Sequence, residues 1–227
     1  MKKSFLLAAI VAAMATPTLA ADEIVSPSAP KYDWSGLYVG ALAGYGWGST
    51  DWTYTGTTST ADHNTKGPLG GVTAGYNWHL GNNFVVGVEG DAAVASISGS
   101  SPCPNPAFSC ESKIKSLFSA RARFGYAAGP VLFYGTGGYG GGHVRVQTVL
   151  PGGTVPTSGT STNGESKFLS GWAAGAGVEY AFSNNWSVKA EYMHYGLGSK
   201  GFIVDNLLPV TAKINVDTIR IGANFKF

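Results

Sequence analysis

Charged residues recur in this chain at a spacing of two. Glu89 and Asp91, Arg121 and Arg123, and Lys189 and Glu191 form such couples, and Glu179 and Arg220 stand singly. Side chains two apart on an extended segment share a face, so these four acids and four bases can meet on one surface. Their chemistry is then ion pairing that holds a structure shut. A sharper version passes protons or small ions along the row. Cys103 and Cys110 bracket Pro104 to Ser109. In an exported chain an even pair this close forms a local disulfide most simply, and no nearby histidine or third cysteine supports a metal site instead. The run Gly137-Gly138-Tyr139-Gly140-Gly141-Gly142 is not a phosphate loop, because no helix or Lys-Ser/Thr follows it. Glycine there relieves crowding or bends a strand.

The elements that must position these residues follow from composition and period. Of 227 residues only 12% are charged and 33 are glycine, with 44% hydrophobic and 12% aromatic. Soluble domains carry roughly a quarter charged residues and about 7% glycine, so disorder and helical bundles are both disfavoured. The N-terminus supplies Lys2 and Lys3, an apolar stretch from Phe5 to Met14, and small residues at Thr18 and Ala20. This reads as a secretory signal peptide over 1–20, cut after Ala20, followed by an extended tether over 21–33. Removing Lys2 and Lys3 from the formal charge of +2 leaves a neutral mature chain, a poor partner for nucleic acid.

From Trp34 to the last residue the period is two. The alternating segments run approximately 34–48, 67–80, 84–96, 113–127, 131–146, 166–181, 186–197 and 212–227. Tight turns at 81–83, 128–130 and 182–185 alternate with long polar stretches at 49–66, 97–112, 147–165 and 198–211. Short connections on one rim and long ones on the other are the pattern of an outer-membrane barrel. The last segment sets Ile219, Ile221, Ala223, Phe225 and Phe227 against Thr218, Arg220, Gly222, Asn224 and Lys226. One face suits hydrocarbon and the other water. The same split places Leu37, Val39 and Trp47 outward opposite Tyr38; Val72, Tyr76 and Trp78 opposite Thr73 and Asn77; and Val86, Val88 and Val94 opposite Glu89 and Asp91. It also sets Phe118, Phe124 and Tyr126 against Arg121 and Arg123, Trp172, Val178 and Tyr180 against Glu179, and Trp186, Val188 and Tyr192 against Lys189, Glu191 and Tyr195. The fifth segment has no readable phase. Aromatics gather beside the tight turns (Trp78, Phe84, Tyr126, Phe133, Tyr180, Trp186, Phe225, Phe227), as an interfacial girdle requires.

Catalysis on lipid would need a serine activated by histidine at the lipid-facing rim. His194 faces outward, but no serine is identifiable as its partner. His63, read as a loop residue, and His143, after the glycine run, form no pairing motif for haem. No catalytic, cofactor-binding or metal-binding set is therefore expected.

Several motifs match a known group. Trp34-Ser35-Gly36-Leu37-Tyr38-Val39-Gly40, Gly44-Tyr45-Gly46-Trp47-Gly48, Gly87-Val88-Glu89-Gly90-Asp91, Arg121-Ala122-Arg123-Phe124-Gly125-Tyr126 and the terminal Asn224-Phe225-Lys226-Phe227 resemble the alphaproteobacterial outer-membrane immunogenic, or porin-family, barrels. The resemblance covers the leader and the whole of 34–227. It implies an all-β fold: an eight-stranded antiparallel up-and-down transmembrane β-barrel, OmpA-like, with short periplasmic turns and long extracellular loops. It also implies a monomer or weak homo-oligomer inserted by the outer-membrane assembly machinery, which reads a C-terminal aromatic; Phe225 and Phe227 match that signal. Unlike OmpA, the chain ends at its eighth strand, without a peptidoglycan-binding domain.

Eight strands enclose an interior that side chains fill, whereas water channels need about 16. The expectation is a plug built by Glu89, Asp91, Arg121, Arg123, Glu179, Lys189, Glu191 and Arg220. Function is then structural, contributing to envelope integrity among outer-membrane lipid and lipopolysaccharide. Surface loops would meet host or environmental ligands. A narrow, low-conductance pore is the alternative, and a lipid A-modifying enzyme or haem binder ranks below it.

Overall fold

The structure, a computed structural model, describes residues 32–54, 60–103, 107, 109–149, 164–204 and 208–227. The expected signal peptide over 1–20 and residues 21–31 of the expected tether lie outside the described residues. Eight strands form a closed antiparallel barrel in sequence order: β1 (Gly36–Tyr54), β2 (Thr60–His79), β3 (Phe84–Pro102), β4 (Ser109–Ala128), β5 (Val131–Val149), β6 (Gly164–Ala181), β7 (Trp186–Val204) and β8 (Leu208–Lys226). β1 pairs with β2 on one edge and with β8 on the other, from Tyr38↔Lys226 to Tyr54↔Val210. Closure removes every sheet edge, which a wall in hydrocarbon requires because an unpaired amide there costs several kcal/mol.

The two faces separate as their chemistry demands. Val72, Val94, Phe124, Phe133, Trp172, Ile219 and Ile221 are all exposed on the outer wall, and Phe84 stacks on Phe124 and meets Tyr126 edge-on at the short-turn rim. β5 takes the phase that its glycines concealed: Leu132, Tyr134, Val144 and Val146 are buried inside, whereas Phe133 and Tyr139 face out.

The strands run well beyond the alternating segments, so much of the residue count between them is strand rising above the outer girdle. Register shifts at Val94/Ile97, Ile114/Ser116 and Gly196/Ser199 lie where these extensions begin, and the alternation of β4 and β7 is reset there. Their inner face is mainly apolar: Ile97, Ile114, Leu117, Leu169, Phe202 and Ile214 pack with Trp52, which donates to Ser112 Oγ at 3.2 Å, and Thr50, Thr65 and Thr148 are buried on the same extensions. His63 sits on the inner face of β2, not in a loop; it is buried and meets Trp52 edge-on.

The tight turns use residues that accept left-handed backbone. Asn82 and Asn83 have φ of 63° and 66°, and Gly129 has φ of 62°. Below β1 the chain departs from the strand reading that began at Trp34. Gly36, at φ 131°, bends the preceding residues across the short-turn mouth. Trp34, only 2% exposed, packs with Val85, Ala127, Leu132, Tyr134 and Ala181. Its indole donates to Gly129 O at 3.3 Å, and the His79 amide donates to Ser35 Oγ at 3.0 Å.

Candidate functional site: the barrel lumen

Midway through the wall, β3, β4, β6, β7 and β8 project their inward charges into one cluster. The eight side chains are at most 4% exposed. Arg121 lies at the centre, with Glu89 Oε1 at 2.5 Å, Asp91 Oδ2 at 2.9 Å and Glu191 Oε1 at 3.1 Å. Arg220 reaches Asp91 Oδ1 at 2.9 Å and also pairs with Glu191. Arg123 pairs with Glu179 and donates to the Tyr38 hydroxyl at 3.0 Å. Lys189 Nζ lies 2.7 Å from Glu89 Oε2. Glu89 therefore ties the Arg121–Arg220 half to the Arg123–Lys189 half.

Neutral side chains complete the shell. The Tyr38 hydroxyl donates to Glu89 Oε2 at 2.8 Å and that of Tyr134 to Glu191 Oε1 at 3.2 Å. Ser119 donates to Asp91, and Ser187 and Asn224 donate to Glu179 at 2.6 and 2.8 Å. The Arg123 guanidinium lies 3.8 Å above the Tyr134 ring, a cation–π contact strengthened by desolvation. Two glycines make room for these rings. A Cβ on Gly75 would come within 2.5 Å of Tyr38 Cζ, and one on Gly177 within 2.6 Å of Tyr134 Cζ. The Nε atoms of Arg121, Arg123 and Arg220 find no partner among the described residues.

Parity along each strand already placed Tyr38, Tyr195 and Asn224 inside. Ser119 and Ser187 carry the same signal, each two residues before a charged inward residue. Tyr134 had none, because β5 showed no phase. The apolar layer above and the Trp34 cork below were likewise absent from the sequence reading.

The arrangement can hold charge but offers it little water. Taking ions out of water is costly, and their attraction repays that cost only with good geometry and added hydrogen bonds. Here each carboxylate has at least two donors. The result is a rigid, charge-balanced layer between two apolar ones.

The remaining candidates lie elsewhere. Cys103 and Cys110 are joined in a disulfide with Cα atoms 5.2 Å apart. His194 faces outward and finds an acid, not a serine: its Nδ1 is 2.7 Å from Asp217 Oδ1, which also accepts from the Tyr192 hydroxyl at 2.6 Å. His143 Nδ1 lies 3.2 Å from Ser116 Oγ on the outer wall. Among the described residues no group of three or more His, Cys, Asp and Glu could hold a metal. Phe227 donates its amide to Leu37 O at 3.0 Å, and Phe225 meets Trp186 and Phe227 edge-on.

Comparison with known proteins decides the family. Residues 5–227 match the outer membrane protein beta-barrel domain. The chain belongs to that family. It is 37% identical to the 31 kDa outer-membrane immunogenic protein of Brucella melitensis across 99% of this chain and 100% of that protein. A 22 kDa outer membrane protein of Rhizobium leguminosarum is 30% identical across 89% and 82%. Among solved structures, OprG of Pseudomonas aeruginosa covers 87% of this chain and 98% of its own at 11% identity and a TM-score of 0.49. Membership of this family sets the barrel in the outer membrane.

Proposed function

We propose that this protein is a sealed structural barrel of the outer membrane, stiffened by its lumen and presenting its long loops to the surroundings. One observation carries the reading: four acids and four bases are paired off across the lumen at no more than 4% exposure. An apolar layer lies above them and Trp34 lies below. A conducting pore needs a wet path, and a layer this buried works against one. The leader over 1–20 delivers the chain to the periplasm, and Phe225 and Phe227 present it to the assembly machinery. Lipid and lipopolysaccharide surround the wall, and any host or environmental ligand meets the loops. No chemistry is assigned to the lumen.

The deciding experiment is conductance of the refolded protein in planar bilayers, beside Arg121→Ala. Neither should show porin-like current steps, because removing one member leaves the apolar layers in place. Large steps in the unmodified protein would make it a pore and overturn the reading.

A further inference from the structure

The strand register allows heights on the outer wall to be compared. Across β4, β5 and β6 the outward rows climb from Ala120–Tyr139–Trp172 through Phe118–Gly141–Ser170 and Ser116–His143–Phe168 to Lys113–Arg145–Ser166. Tyr139 and Trp172 belong to the girdle. Above them the rings of Phe118 and Phe168 stack with centroids 4.9 Å apart and planes within 2°. They meet over Gly141, where a Cβ would come within 2.7 Å of one ring and 2.8 Å of the other. Glycine thus lets a flat aromatic platform form across β5.

Cations crown this platform. Lys113 and Arg145 are direct partners across β4 and β5. The register shift at Ile114/Ser116 leaves Lys115 outside the ladder and exposed, between the buried Ile114 and Leu117. Lys115 makes no hydrogen bond or ion pair among the described residues. The acid on this face is Glu111, 2.9 Å from Lys113 Nζ. Gln147 holds Arg145 Nε at 2.8 Å and donates to Glu111 at 2.5 Å. Three cations against one acid leave a net positive patch. On β7 and β8 the girdle carries the acid Asp217 instead.

We propose that this face of β4–β6 is a binding site for a phosphorylated lipid of the outer leaflet, its phosphate among Lys113, Lys115 and Arg145 and its chains against the Phe118–Phe168 platform. The inference rests on the outer wall facing lipid. An amphiphile places its anion just above its hydrocarbon, and two residues along a strand span about 7 Å, so a cationic row one or two steps above an aromatic row matches that order. Arginine presents a fork that fits phosphate oxygens, and lysine adds point charge.

The test compares binding of diphosphoryl lipid A and of its dephosphorylated form to refolded protein in detergent micelles, read by native mass spectrometry. The variants are Lys113→Gln/Lys115→Gln/Arg145→Gln and, as a control on other strands, Lys66→Gln/Lys213→Gln. Heat-modifiable mobility reports that each barrel has folded. The triple variant should bind the phosphorylated lipid about tenfold more weakly, with the control unchanged; Lys115→Gln alone shows a smaller loss in the same direction if the triple does not refold. Equal binding by variant and unmodified protein, or no preference for the phosphorylated lipid, overturns the proposal while leaving a sealed barrel standing. Loss of self-association in the triple variant with lipid binding unchanged would assign the face to a second copy and also overturn it. Channel conductance, by contrast, would defeat the structural reading without touching this one.

Discussion

Lys189 of β7 and Glu89 of β3 meet inside the barrel at 2.7 Å although 100 positions separate them in the chain. Their strands are not neighbours in the ring, so the contact crosses the lumen instead of following the wall. Glu89 also holds Arg121 at 2.5 Å and lies 3.7 Å from Arg123. One carboxylate therefore links three cations on two strands.

Removing that carboxylate should be costly. Glu89→Ala leaves Arg121 and Lys189 short of a partner in a buried layer, a loss of about 3–5 kcal/mol. The check is the midpoint of urea unfolding in detergent micelles. Removing the charge pair together, as Glu89→Gln/Lys189→Met, should lose less than the sum of its single changes. An unmoved midpoint in Glu89→Ala would mean that the network adds nothing to the barrel.

Trp34 offers a separable test. Truncating a fully buried tryptophan costs about 3–5 kcal/mol, so Trp34→Ala should lower the midpoint and expose the amides of residues 32–35 to hydrogen exchange. Conductance should stay flat because the ionic layer is untouched. The same segment carries a pH response. The Ser35 amide, donating at 2.9 Å, holds the Asp33 carboxyl below its ordinary pKa of 3.8. A depressed folded pKa gives stability that is present above the ordinary value and lost as pH falls through the folded one. Protection factors at 32–35, which remove the intrinsic pH dependence of amide exchange, should therefore be flat from pH 7 to about 5 and fall only in stronger acid.

The disulfide closes a short link between β3 and β4. Cys103→Ser/Cys110→Ser should cost about 2 kcal/mol and make residues 104–108 open to protease, with the barrel still folded. Mass spectrometry of the native protein should show no free thiol at either position.

Deleting Phe227 distinguishes assembly from stability. Its ring is 69% exposed, so the refolded, truncated protein should melt close to the unmodified one. In cells its amount in the outer membrane should drop severalfold, measured by fractionation. Equal amounts would remove Phe227 from any role in delivery.

Most of the wall was legible in the sequence because two solvents impose a strict alternation. Ile219 and Ile221 beside Arg220 leave no ambiguity. Legibility failed where contrast or phase was lost. Between Gly135 and Gly142 there is almost no side chain to report a face. At Ile114/Ser116 and Gly196/Ser199 an extra residue flips the parity, so the buried positions Ile114 and Phe202 fall out of step with the strand below them. Trp34 looked like a strand residue because Gly36 is just as compatible with extension as with the bend it makes. The inward charges could be named from parity, but parity is silent on which acid meets which base.

The ladder from Tyr38↔Lys226 to Tyr54↔Val210 joins the first strand to the last. Until residues near position 226 are made, β1 has a bare flank and the cylinder is an open, curling ribbon with greasy aromatics on its convex side. Such a ribbon cannot complete itself stepwise during synthesis, and pairings of such long sequence separation form slowly. The wall therefore comes into being only as a whole, its first strand waiting on its last.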